Sequence, residues 1–194
     1  MILTLGQWAG ILSFVAYLFY IYAIVVKKET KPSRSTWWIL SFVGLIILIS
    51  YKAVGADETW WIVLGDFLGI LSIAIISIWY GVGGKDPLDI LAFIGAIFSL
   101  FLWWYFDSPF IALATNLTID LFAAIPTIYK TWHFPEQEDT LAWTLTILAD
   151  ILAVFVIDSW TPEIYIYPFY TLIIDGIVWI LALKTAFLLF RKMK

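Results

Sequence analysis

Seven apolar runs, each about as long as a bilayer is thick, constrain this chain more than anything else in it. They lie at about 7–26, 36–54, 60–82, 88–106, 109–131, 138–157 and 165–190. A helix crossing hydrocarbon needs roughly 17–25 mainly apolar residues. Inside lipid the backbone must satisfy its own hydrogen bonds, which a helix does within itself. The connecting segments KKETKPSR (27–34), GADE (55–58), GGKDP (83–87), FDSP (106–109), HFPEQED (133–139) and DSWTPE (158–163) hold most of the charges and turn formers. None is long enough to form a second, soluble domain. The expectation is an all-α integral membrane protein with seven transmembrane helices. Only 13% of the residues are charged, against about 25% in water-soluble domains. The lipid bilayer is therefore the expected surrounding, and nucleic acid is not an expected partner. The first run lacks a basic leader and a small-residue cleavage pattern, so it reads as a retained helix.

Lysines and arginines set the direction. Lys27, Lys28, Lys31, Arg34, Lys85, Lys130, Lys184, Arg191, Lys192 and Lys194 all fall on one side of a seven-span topology, and Lys52 alone falls on the other. This predicts an outside N-terminus and a cytoplasmic C-terminus in a plasma membrane of the bacterial inner-membrane type. Tryptophans and tyrosines cluster at the ends of the runs, as an interfacial belt would require.

The chain also repeats itself. YAIVVKKETKPSRSTWW (22–38) and IPTIYKTWHFPEQEDTLAW (125–143) each end an apolar run on a lysine, place a proline five residues later, and resume at a tryptophan. The last run of each copy carries an aspartate near a glycine, GDFLG around Asp66 and IDG around Asp175. Three runs, a linker run and three more return the second copy to the direction of the first. The copies are then parallel repeats about an axis along the membrane normal. The division is 1–84 for the first triple-helix bundle, 85–107 for the linker helix and 108–194 for the second bundle.

These motifs resemble the SWEET and PQ-loop transporter superfamily, and in particular small bacterial seven-helix membrane proteins of that clan. IPTIYKTWHFPEQE looks like a divergent second PQ-loop, with Pro126-Thr127 in place of Pro-Gln. The first copy departs further, with Ala23 at the proline position. The resemblance implies the 3+1+3 arrangement and a solute site between the bundles. It also implies a polar pair on helices 3 and 7, here Asp66 and Asp175, beside aromatic partners Trp37 or Trp38 and Trp143. Acids in place of the family's usual amides disfavour a neutral sugar and favour a cation or a proton-coupled solute.

Asp66, Asp120, Asp150 and Asp175 lie inside the apolar runs. Each costs roughly 2.5–3.5 kcal/mol at a helix centre when ionised. Such residues face the bundle interior, pair, or take up a proton. Helical spacing puts Asn116, Asp120 and Thr127 on one stripe, Trp143 with Asp150 on another, and Pro168, Thr171, Asp175 and Trp179 on a third. Asp120, Asp150 and Asp175 lie about ten to twelve residues into their runs, which is near the bilayer midplane, while Asp66 sits closer to an end. Gly65-xxx-Gly69 around Asp66 permits close helix contact. The alternative for each acid is interhelical hydrogen bonding without transport. Pro126 interrupts its helix ladder and is the candidate hinge.

The leading expectation is a membrane transporter that moves a small-molecule solute by alternating access. The expected solute or proton-binding residues are Asp66, Asp120, Asp150, Asp175, Asn116, Trp37, Trp38, Trp143 and Trp179. A receptor or accessory subunit without transport is the alternative. An intramembrane enzyme fits less well. The sequence has no cysteine and a single histidine, His133, in a loop. Neither a catalytic residue, a metal site nor a cofactor is therefore expected. Homo-oligomers are permitted but not specified.

Overall fold

The computed structural model describes residues 3–28, 32–82, 87–135 and 138–192. Its seven α-helices are α1 (Leu5–Tyr22), α2 (Arg34–Ala53), α3 (Trp60–Tyr80), α4 (Pro87–Phe106), α5 (Pro109–His133), α6 (Thr140–Phe155) and α7 (Pro162–Lys192). Five are long and apolar enough to cross a membrane: α1 with its extension to Lys27, α2, α3, α5, and α7 as far as Leu183. The apolar parts of α4 (Phe93–Phe106) and α6 are shorter. The chain is thus an all-helical membrane protein.

Local chemistry explains where the helices begin and end. Thr4 caps α1 reciprocally with Gln7, each side chain accepting from the other's backbone N–H at 3.2 and 3.1 Å. That satisfies two of the donors a helix start leaves free. Asp139 caps α6, accepting from Leu141 and Ala142 at 2.9 and 3.1 Å. The cap consumes residues expected to be helical, and the chain leaves the helix at Val156, so α6 is shorter than the 138–157 read from hydropathy.

The end of α1 departs from a plain helix. Residues Ala23–Lys27 form a π-helical turn, closed by Lys28 in the left-handed region at φ 58°. When Lys27 is aligned with Lys130, this turn starts at the position that matches Pro126. Helical assignment in α5 runs through residue 126, whose side chain lies outside the described residues, as do Lys31, Lys85 and Lys194.

Neighbouring helices follow a closed order. α1 packs on α3, α3 on α2, α2 on α5, α5 on α7, α7 on α6, and α6 back on α1. α4 lies outside this ring, against α2 and α5. The α1–α3 seam is backbone on backbone. A Cβ at Gly65 would strike the Gly10 carbonyl, one at Gly10 the Trp61 carbonyl, and one at Gly6 the Glu58 carbonyl. Gly6 N–H also donates to Glu58 Oε2 at 3.2 Å. Gly69, one turn past Gly65, leaves room for the ring of Tyr17.

Each end of the ring has its own tie. At the amino-terminal end, Pro168 has no N–H, which frees the Ile164 carbonyl from the α7 ladder. The Tyr51 hydroxyl donates to that carbonyl at 2.5 Å and shares a second hydrogen bond with Thr59 at 3.0 Å. Tyr51 is fully buried and stacks near Tyr167, with ring centroids 5.4 Å apart. At the opposite end, the segment before α2 pairs with the residues after α3. Val82 N–H donates to Pro32 O at 2.9 Å, Arg34 N–H to Val82 O at 3.0 Å, and Arg34 Nε to Ser77 O at 3.0 Å.

Candidate functional site

Four helices bring one aspartate each toward the middle of the ring. Asp66 on α3 accepts from Ser13 on α1 and from Tyr167 on α7, the latter at 2.7 Å. Asp120 on α5 accepts from the Tyr170 hydroxyl on α7 at 2.7 Å. Asp150 on α6 and Asp175 on α7 interact directly with each other, with the Thr171 hydroxyl beside Asp150. Tyr17 on α1 stands where the electrostatic reach of all four carboxyls overlaps. Its ring occupies the space that Gly69 leaves open on α3.

Exposure divides the cluster. Asp66, Asp120, Asp175 and Tyr17 are half-buried, although protein surrounds them. Asp150 is 1% exposed, and its Oδ2 has no hydrogen-bond partner. Among the described residues, the groups that act on these acids are hydroxyls and other aspartates, with no cationic side chain. Hydrogen bonds to a charged acceptor contribute about 1.5–3 kcal/mol each, which offsets much of the insertion cost of Asp66 and Asp120. Asp150 has only the Thr171 hydroxyl beside one of its oxygens, and among the described residues no hydroxyl donor stands at Asp175. Among the described residues, no three acids or histidines are grouped closely enough to hold a metal ion.

The tryptophans named from sequence lie elsewhere. Trp37 stacks against Tyr20 at 5.4 Å between centroids. Trp143 Nε1 donates to Glu138 Oε2 at 3.0 Å, and Glu138 in turn is within electrostatic reach of Tyr20. These four residues from α1, α2 and the start of α6 therefore gather at the Lys28 end of the ring, about two turns from Asp150. Trp179 stands between the two groups, its Nε1 donating to Thr144 Oγ1 on α6 at 3.0 Å. Trp38 is 44% exposed and turns outward.

Asn116 joins neither group. It is fully buried, with Nδ2 donating to Ser99 on α4 at 2.6 Å and to the Ala112 carbonyl at 2.8 Å. It fastens α5 to α4, away from Asp120 and its partner on α7.

Tyr17, Tyr167, Tyr170 and Ser13 belong to the site but were not singled out from the sequence. Tyr17 had one available signal, its position on α1 corresponding to Asp120 when Lys27 is aligned with Lys130.

Comparison of the chain with known protein families, with curated proteins and with solved structures finds no match.

Proposed function

We propose that this chain is a membrane transporter of a small solute, operating by alternating access between α1–α3 and α5–α7, with α4 as the linker. The observation that carries the reading is the convergence of four carboxyls on Tyr17 inside an apolar bundle, without a cationic partner among the described residues. Intramembrane acids are expensive and characteristically mark ion or substrate pathways. Purely structural contacts between helices are made at lower cost by serine, threonine and asparagine, as Asn116 and Ser99 do here.

The neighbour order supports a 3+1+3 organisation. Exchanging α1 with α5, α2 with α6 and α3 with α7 maps the ring of packed helices onto itself. The helix ladder is also interrupted at matching positions, by the π turn at Ala23 and by Pro126. Both fit the resemblance to the SWEET and PQ-loop superfamily. In this reading the acid cluster is the solute site. The Tyr51–Ile164 bond closes the outer side of the site. Trp179, Trp143 and Trp37 mark a route to the cytoplasmic side.

Reconstituted protein should take up at least one solute from a panel of sugars, amino acids, amines and vitamins under an imposed pH gradient. Uptake should saturate and fall by about tenfold or more in Asp120→Asn, the equivalent of about 1.4 kcal/mol or more. Uptake indifferent to removal of Asp120, Asp150 and Asp175 would refute the proposed mechanism.

A further inference from the structure

The four aspartates are not equivalent. Asp66 and Asp120 accept hydrogen bonds from tyrosine hydroxyls, Tyr167 and Tyr170, and such donors suit a carboxylate that keeps its charge. Asp150 and Asp175 instead meet each other across α6 and α7. Two carboxylates in contact do not both stay ionised unless a cation or a proton lies between them. Among the described residues, the groups facing this pair are Tyr17 from α1, Asp66 from α3, Asp120 from α5 and Thr171 from α7. None brings a positive charge. The buried Asp150 Oδ2 is an acceptor without a donor, a costly condition that a ligand bearing N–H groups would relieve.

Resting on the transport reading above, we propose that Asp150 and Asp175 share a single proton, and that an organic ammonium cation entering beside Tyr17 displaces it. Cation and proton are then exchanged one for one across the membrane. The balance is simple. The ammonium donates N–H bonds to Asp150 Oδ2 and to Asp175. The carboxyl O–H bond of the pair breaks, and its proton passes to water on the side to which the site is open. No electron moves, and the charge of the cluster is the same before and after.

An ammonium fits the surroundings better than a bare metal ion. The acids are too spread for three of them to ligate one ion. The rings of Tyr17, Tyr167 and Tyr170 stand at the carboxyls, and aromatic faces attract organic cations.

The test uses the full chain in liposomes, with infrared difference spectroscopy and methylammonium as the probe. Near neutral pH the wild type should show the carbonyl stretch of a protonated carboxylic acid. The band should be lost in Asp150→Asn and in Asp175→Asn and kept in Asp158→Asn, which alters an exposed loop acid. Methylammonium should abolish the band in the wild type and release about one proton per chain, read with a pH dye. Thr171→Val guards against variants that misfold, because it keeps both acids; its band should persist at a higher frequency. A folded wild type without the band, or a band that survives both Asn variants, overturns the shared proton. A band unmoved by methylammonium overturns exchange against ammonium cations. Solute uptake that continues unchanged in Asp150→Asn removes the pair from the cycle while leaving transport intact. The band and proton release without uptake of any solute would leave the pair standing and sink the transport reading.

Discussion

Tyr51 shows how a single residue closes an account opened elsewhere in the chain. Pro168 releases the Ile164 carbonyl, and the Tyr51 hydroxyl donates to it at 2.5 Å in a fully buried position. Tyr51→Phe keeps the ring and strands the carbonyl, so it should destabilise the protein by about 1–3 kcal/mol, seen as a lower melting temperature in detergent. A second residue-scale test addresses Tyr17 without removing an acid. Gly69→Ala puts a methyl group into the Tyr17 ring; the variant should fold yet lose most uptake, and full uptake would show that the ring's placement does not matter. At this scale the acids were legible in the sequence because lipid makes them costly. Tyr17 was not, because a tyrosine in an apolar run looks the same whether it serves an interface, a core or a site. Asn116 misled for a related reason. Helical spacing puts it on the stripe of Asp120, but spacing does not say which neighbour a face will meet, and here its partner is Ser99 on α4.

Between residue and molecule lie the helices and their seams. The helices were readable to within about four residues from the change in hydropathy alone, and the capping groups Thr4, Ser33 and Asp139 that set three of the starts were not read. The π turn was not, because Ala23–Lys27 contains nothing that by itself forbids an α-helix. It stands at the position that matches Pro126 when Lys27 is aligned with Lys130. Interrupted ladders are places where a helix bends. In the proposed transporter, Pro126→Ala should slow uptake with little change in melting temperature, and an unaltered rate would remove Pro126 as a hinge. The α1–α3 seam has the opposite character. Gly65→Ala forces a methyl group against the Gly10 carbonyl, an overpacking worth about 1–3 kcal/mol, and should lower the melting temperature accordingly.

At the scale of the whole molecule, hydropathy and charge predict how often the chain crosses and in which direction, but not which helices touch. The order α1–α3–α2–α5–α7–α6 depends on side-chain fit among faces that are apolar nearly all round, and such faces carry little amphipathic signal. Direction remains directly checkable. The chain has no cysteine of its own, so Asp158→Cys should react with an impermeant maleimide on intact cells, whereas His133→Cys should react only after permeabilisation. The reverse pattern would invert the proposed orientation.

The backbone contact between α1 and α3 also bears on how the gene can drift. Positions 6, 10 and 65 have no room for even one added carbon against the facing backbone, whereas the outward side of α4, with Ile94, Ile97, Phe98 and Phe101, is exposed. A saturation library selected for stable expression should therefore be stripped of variants at those three glycines and stay rich in apolar exchanges along α4. Substitutions would accumulate on the lipid-facing rim long before they reach the hub of the bundle.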